Sequence, residues 1–330
     1  MLLDSKSWAR RAHAVAVFLT LSTWVSGLII LNAWWIVDLI ILPKRPLVAI
    51  ACFAFKIGLL LVPLRVEPPS CVKRFLRFSL VAAHHYFPVQ VVYEDRAALE
   101  KTGHPFVIGY EPHSVLPQGI CAFCSYAVDG LPAGLKQTRI LASSAAFWAP
   151  VMRHMWWWLG IRPVSHQCFA TLLAKGRSVA LCPGGIKEVL FMERGREVAY
   201  LHKRTGFVRM ALQAGAPLVP VFAFGQSDMY SYVRLFYDFP KHLIPRAQWA
   251  RLARRIGYVP MIIWGWCFSF MPKQVPLYIV VGKPIPVPKV EQPSSEQVED
   301  YLQRFIEEEE RIFREHREAA GQAGVELTVY

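Results

Sequence analysis

The sequence is poor in acidic side chains, in paired cysteines and in several motifs by which catalytic and nucleic-acid-binding chains announce themselves. Asp and Glu number 24 against 37 Lys and Arg, a formal charge of +13. Such a charge suits nucleic acid, an anionic membrane face or a polyanionic substrate. With no zinc finger, no RNP-like aromatic run and no basic helix in view, nucleic acid is the least expected of the three partners. The seven cysteines are odd in number and scattered through apolar runs, which argues against a disulfide framework and for a reducing, cytosol-facing compartment. Cys121 and Cys124 form a CxxC, but no second pair stands at ligand spacing, so no metal is expected. The chain has no GxSxG elbow, which disfavours a serine hydrolase. It also lacks repeats and low-complexity tracts.

What it has in excess is apolar sequence, 54% of 330 residues, with a mean hydropathy of +0.29. The excess is concentrated near the amino terminus. Ala12 to Val37 is apolar apart from His13, Asn32 and a few hydroxyls. As a helix rising about 1.5 Å per residue it is long enough for a hydrocarbon core of about 30 Å. It is too long for the h-region of a cleaved signal peptide, and a second apolar stretch follows. Asp38 to Pro46 reads as a turn, and Leu47 to Leu64 is apolar again except for Lys56. A lysine at mid-span costs on the order of 2.5 to 3.5 kcal/mol, so this arm reads either as a second span or as half of a re-entrant hairpin. Lys6, Arg10 and Arg11 before the hairpin and Arg65, Lys73, Arg74 and Arg77 after it outnumber Lys44 and Arg45 at its tip. Positive-inside counting therefore puts both ends on the cytosolic side. The expected organisation is a membrane-anchoring helical hairpin over 1–66 and a cytosol-facing domain over 67–330.

Cys71 to Ala83 has the mixed basic and apolar pattern of an interfacial helix. Beyond it, strand-like runs alternate with helix-like ones. Val89 to Tyr93, Phe106 to Tyr110, Arg139 to Ala142, Ser178 to Cys182, Leu218 to Phe224 and Pro276 to Val281 read as strands. Helices are expected from about Val115, through Trp156, near Phe169 to Lys175 and over Arg204 to Gln213. The alternation predicts layered α/β architecture with a largely parallel sheet. From Gly225 to Pro276 the pattern breaks down into aromatics interleaved with Arg234, Lys241, Arg246, Arg251, Arg254 and Arg255. That band fits a membrane interface or a locally buried cluster equally well. Ser294 with Gln297 resembles a capping box, and Val298, Leu302, Phe305, Ile306, Ile312 and Phe313 recur at helical spacing opposite an acidic face that includes Glu307 to Glu310.

The chemistry gathers after strand-like runs. Pro112 stops the run Phe106 to Tyr110, leaving Glu111, His113 and Ser114 at a strand's carboxyl end, where open α/β sheets place their sites. A histidine there, with an ordinary pKa of about 6.5, accepts a proton at neutral pH, although it also caps helices. Pro183, Gly184 and Gly185, followed by Lys187 and Glu188, put two flexible residues where backbone N–H groups approach an oxyanion or phosphate. Arg204 and Arg209 read as two arginines on one helix face, suited either to phosphates or to solvent. Gly282, Lys283 and Pro284 close the last strand.

Together these residues resemble the type 2 diacylglycerol O-acyltransferase family, which includes monoacylglycerol and wax-alcohol acyltransferases. The resemblance rests on Tyr86-Phe87-Pro88, on Tyr110-Glu111-Pro112-His113-Ser114, on Pro183-Gly184-Gly185 with Glu188, and on Arg204 to Gln226. That last block fits RxGFxRxAxxxGxxLVPxxxFGQ at every specified position, including Gly206, Phe207, Gly225 and Gln226. The EPHS form resembles plant and algal members, with Glu111 where other members carry a second histidine. Phe18 to Val25 also resembles a neutral-lipid motif of the family's first span.

The resemblance implies a glycerolipid-acyltransferase-like α/β domain, acyl-CoA as co-substrate, diacylglycerol as acceptor and no cofactor. It implies the endoplasmic reticulum membrane or lipid-droplet surface as location, and a homo-oligomer stays open. His113 is expected to be the general base, with Glu111 and Glu188 beside it. Relatives that acylate glycerol phosphate carry an aspartate five residues after their histidine, where this chain has Gln118, so Glu188 is the expected supporting acid. The N–H groups near Gly184 and Gly185 are expected to hold the oxyanion. Arg204, Arg209, Lys187 and Lys283 are expected to face the CoA phosphates. Ser114 as an acylated nucleophile is disfavoured, because adjacent side chains diverge. The alternatives are another acceptor alcohol or a non-catalytic hairpin protein of lipid droplets, which would have no use for these motifs.

Overall fold

The computed structural model describes residues 5–101, 103–124, 130–238 and 243–330, without the side chains of 5–13, 28, 32 and 246. Lys241 therefore lies outside the described residues, as do the side chains of Lys6, Arg10, Arg11 and Arg246. Two apolar helices, α1 (Ser5–Ile41) and α2 (Pro46–Leu61), form the hairpin. Next come α3 (Ser70–Tyr86), β1 (Val89–Tyr93), the single-turn α4 (Arg96–Leu99) and β2 (Val107–Glu111). A 3-10 segment, Gln118–Phe123, precedes β3 (Arg139–Ala142), α5 (Met152–Trp158), β4 (Ile161–Pro163), α6 (His166–Ala174), β5 (Val179–Leu181) and α7 (Gly185–Phe191). The chain continues through β6 (Arg196–Ala199), α8 (Gly206–Ala214), β7 (Leu218–Phe224), β8 (Ser231–Arg234), α9 (Arg246–Ile256) and β9 (Met261–Trp264). It ends with β10 (Leu277–Val281), α10 (Ser295–His316) and β11 (Glu326–Val329).

Seven strands form one sheet in the order β1-β10-β7-β2-β5-β3-β4. All neighbours are parallel except β10 against β7, which is the largely parallel α/β sheet expected. Strand β2 lies at its centre and is buried along its whole length, as a strand covered on both faces must be. Val107 packs on one face with α6, α8 and α10; Ile108 and Tyr110 pack on the other with Leu76 of α3 and the 3-10 segment. Gly109 is required at its position, because an added Cβ would sit 2.3 Å from Cζ of Phe305 on α10. Four helical residues advance about 6 Å and two strand residues about 6.6 Å. Phe305 and Glu309 can therefore step along β2 with Gly109 and Glu111.

Helix α10 carries the capping box, with Ser294 Oγ accepting from Gln297 N–H at 3.1 Å and Gln297 Oε1 from Ser294 N–H at 3.0 Å. Its acidic face is narrower than expected, since Glu309 is buried. The described residues of 225–276 hold a locally buried cluster: β8 and β9 pair antiparallel over buried Tyr230, Tyr232 and Trp249, while Trp266 and Phe268 are exposed. Helix α9 is the basic helix that was not anticipated, with Arg251, Arg254 and Arg255 beside exposed Leu252 and Ile256.

Among the described residues one helix is long and apolar enough to cross a membrane, over Ala14–Ile41. It runs into the expected turn as far as Ile41, so Asp38 lies within α1. The lysine expected to burden the second arm is partnered there. Lys56 is wholly buried, ion-paired with Asp38, donates to the Trp34 carbonyl at 3.0 Å and lies 4.3 Å from the Trp35 ring centroid. The hairpin rests against the α/β domain: the Trp24 ring is 5.2 Å from that of Trp156, and Trp35 Nε1 donates to the Trp148 carbonyl at 3.4 Å.

Candidate active site

Three adjacent parallel strands, β7, β2 and β5, deliver the motifs to one edge of the sheet. Glu111 pairs with Phe222 of β7, and Gly109 with Leu181 of β5. The residues that follow, Pro112 to Ser114, Cys182 to Gly185 and Gly225-Gln226, therefore emerge side by side at the strands' carboxyl ends.

The segment after β2 is fixed from both sides. From the β7 side, Gln226 receives the Tyr110 hydroxyl at 2.7 Å and Gly119 N–H at 3.0 Å, and its amide donates to the Pro112 carbonyl. Gly225 makes this approach possible, because its φ is +87° and a Cβ would meet the Pro276 carbonyl oxygen at 2.2 Å. From the β5 side, Glu188 accepts the N–H of His113 and, at 3.4 Å each, those of Ser114 and Tyr200. Gly184 admits this carboxylate, since a Cβ there would lie 2.1 Å from Glu188 Oε2. Glu111 accepts Gly184 N–H at 3.1 Å.

The imidazole is set by the backbone. His113 Nδ1 lies 2.9 Å from the Ser114 carbonyl oxygen, which can only accept, so the ring proton sits on Nδ1 and Nε2 is left as a proton acceptor. This revises the expected support: Glu188 meets the main chain of His113, and the Ser114 carbonyl orients the ring. Gln118, at the aspartate's position, donates to Tyr230 at 3.3 Å.

The placements of other expected residues differ. Gly184 N–H is occupied by Glu111, which leaves Gly185, at φ +54°, as the candidate oxyanion donor of the pair. Arg204 precedes α8 and donates to the Gly184 carbonyl, its guanidinium 5.4 Å from the Tyr200 ring; burial pulls its pKa down. Lys187 Nζ reaches the Tyr200 hydroxyl at 3.4 Å. Arg209 does not share a face with Arg204, because its guanidinium donates to the Pro293 carbonyl at 3.0 Å. Lys283 follows β10, where Gly282 N–H bonds the Pro220 carbonyl and Ile285 pairs with Leu218. It is thus exposed near the sheet's opposite end. Phe207 is core, edge to face with Phe305 at 5.0 Å, and Gly206 opens α8. Tyr86 donates to the Pro272 carbonyl at 2.7 Å. Phe87 packs with Val115, Val189 and Leu190 directly beyond the motif, and Pro88 leads into β1.

Sequence reasoning missed two buried acids. Glu309 accepts Val221 N–H at 3.0 Å, and burial raises its pKa well above the carboxylate range. Its signal was its phase, in step with Leu302, Phe305 and Phe313, which an acidic run disguised. Glu197 accepts the Ser227 hydroxyl at 2.7 Å, and burial raises it to about 7. Together with Pro112, Ser114, Asp228 and Lys273 it lines a cavity of about 200 Å³.

Residues 71–329 match the family model described as diacylglycerol acyltransferase. Homo sapiens 2-acylglycerol O-acyltransferase 3 is 32% identical over 250 residues, 72% of this chain and 70% of that protein. Homo sapiens diacylglycerol O-acyltransferase 2 is 30% identical over 254 residues, 72% of this chain and 62% of that longer protein. Mus musculus diacylglycerol O-acyltransferase 2-like protein 6 is 32% identical over 254 residues, 72% of each chain. Among solved structures, the LPA acyltransferase PlsC from Thermotoga maritima covers 85% of this chain and 94% of its own at 12% identity. The TM-score of that superposition is 0.39. Matched in sequence over most of its length, the chain belongs to the diacylglycerol acyltransferase family and is an acyltransferase.

Proposed function

We propose that this chain transfers an acyl group from acyl-CoA to the free hydroxyl of diacylglycerol, making triacylglycerol at a membrane. The observation that carries the reading is the convergence of the His113, Gly184-Gly185 and Gln226 motifs at the carboxyl ends of β5, β2 and β7, on a domain that rests against an apolar hairpin. In this reading 1–66 is the anchor and 67–330 the catalytic domain. Both termini face the cytosol, and the chain resides in the endoplasmic reticulum membrane with access to droplet surfaces.

A lipid alcohol is a weak nucleophile at neutral pH, so His113 Nε2 takes its proton as the oxygen attacks the thioester carbon. The tetrahedral oxyanion is met by backbone N–H at Gly185. Its collapse breaks the C–S bond, and the imidazolium returns its proton to the departing CoA sulfur. Arg204 and Lys187, both against Tyr200, are the cations positioned for CoA phosphates. No step requires a metal or redox group. A monoacylglycerol acceptor is the second reading, favoured by the 32% identity to a 2-acylglycerol O-acyltransferase.

The test uses microsomes from a host without neutral-lipid synthesis, given labelled acyl-CoA and each acceptor. Wild type should form triacylglycerol, and His113→Ala should lose at least about a hundredfold in rate at equal membrane abundance. Product from monoacylglycerol alone would move the chain to the second reading, and full activity in the mutant would remove His113 as base.

A further inference from the structure

Resting on the reading of His113 as the base, one pair of residues has chemistry that reading leaves unused. We propose that Glu111 and Glu188 share a single proton, Glu111 as a neutral acid donating to a Glu188 carboxylate, and that this pair positions His113. Both side chains have no exposed surface, and two ionised carboxylates in contact inside a protein are strongly disfavoured. Among the described residues, neither forms an ion pair with a lysine or arginine; Arg204, the nearby cation, directs its bond to the Gly184 carbonyl.

The donors divide the roles. Glu188 collects three main-chain N–H groups, from His113, Ser114 and Tyr200, the environment of an anion. Glu111 receives one, from Gly184, and its Oε2 has no N–H or O–H to accept. Both carboxyls close on Gly184, Glu111 by accepting its N–H and Glu188 Oε2 by filling the space that a Cβ would take, and two carboxyl groups bond only when one of them carries a proton. Burial first, then the Glu188 charge, holds the Glu111 proton well above the usual carboxylate range. Glu309 from α10 adds to the shift. Of the other titrating neighbours, Tyr110 and Cys182 are themselves raised and neutral, Glu197, which feels the Glu188 charge, is raised to about 7, and Arg204 is the opposing charge. The proton bridges the end of β2 to the first turn of α7, and the Glu188 carboxylate that accepts it also holds the main chain of His113. Removing the proton sets two anions against each other where Glu188 holds the His113 main chain.

The infrared carboxylic-acid C=O band of the purified full chain in lipid nanodiscs reads this state without any assay of activity. The wild-type minus Glu111→Gln difference at neutral pH should show one lost acid band, which disappears from the wild type as the pH rises. Wild-type activity should fall over that alkaline range. Glu111→Gln, whose amide still donates to Glu188 and accepts from Gly184, should stay within about fivefold of wild type and lack the alkaline fall. Glu111→Leu, which strands Glu188, should lose on the order of a hundredfold. No band lost in Glu111→Gln, or an alkaline fall that persists in it, overturns the shared proton. An active His113→Ala with the band intact overturns the base assignment alone.

Discussion

In the hairpin, buried charge is neutralised by opposite charge: Lys56 lies against Asp38 and over the Trp35 ring, with no exposed surface. At the carboxyl end of the sheet, Glu111, Glu188, Glu197 and Glu309 are buried with main-chain N–H groups, a serine hydroxyl and protons in place of a cation. An ion pair in a low-dielectric setting is locked, because separating it exposes two charges. A cluster of acids is adjustable, because each member can change charge by one proton. The molecule thus places fixed electrostatics in its apolar hairpin and titratable electrostatics at the candidate site.

The comparison breaks most severely at Lys56. Lys56→Leu leaves Asp38 buried without a partner and should destabilise the hairpin by about 3 to 5 kcal/mol. Accelerated proteolysis of the full chain reconstituted in lipid nanodiscs reads this out. The double variant Lys56→Leu with Asp38→Leu removes both charges and should recover most of the loss. Equal damage in the single and double variants would mean that packing of the tryptophans, and not the ion pair, joins the two arms.

The second test goes to the acid cluster. Glu197 holds its proton to about 7 in the fold, against an unfolded carboxyl value of about 4.3. Between those values the folded chain binds more protons than the unfolded one, so its stability is fully present below the lower value and is lost as pH rises through the upper. Glu197→Gln keeps an acceptor for Ser227 and cannot ionise. Above pH 7 it should be more stable than wild type by on the order of 3 kcal/mol, with the advantage vanishing in acid. Thermal unfolding in detergent across that range checks the sign, and a constant offset at all pH values would mean that the effect is packing.

Why the sequence disclosed one region and not the other follows from what pattern can express. Strands β1 and β7 are legible to the residue, because Pro88 starts the first and Pro217 and Gly225 bracket the second, leaving the chain little choice. The His113, Gly184 and Gln226 motifs are legible as ends of strands, and parallel pairing then brings them together. Strands β6 and β11 were not, since each is only four residues long and is made by pairing across 130 positions, from Arg196 to Glu326. The hydrogen-bond partners were equally hidden. Nothing in the spacing of Glu188 or Gln226 says that each addresses main chain instead of substrate, and a lysine inside an apolar run carries no mark of the aspartate one helix away.

The smallest expected effect separates the two arginines that spacing alone had treated as equivalent. Arg209 donates to the Pro293 carbonyl, next to the cap of α10, and so ties α8 to the start of the helix that carries Phe305 and Glu309. Arg204 stands against Gly184 and Tyr200 at the motif edge. Arg209→Ala should cost about 1 kcal/mol of stability, the worth of one hydrogen bond, and leave KM for acyl-CoA unchanged. Arg204→Ala should raise that KM, and the rise should shrink at high salt, as expected for a cation that faces phosphate. If Arg209→Ala instead raises KM for acyl-CoA with no change in unfolding temperature, the coenzyme lies along α8, and the boundary drawn here between structural and substrate-facing charge moves to include it.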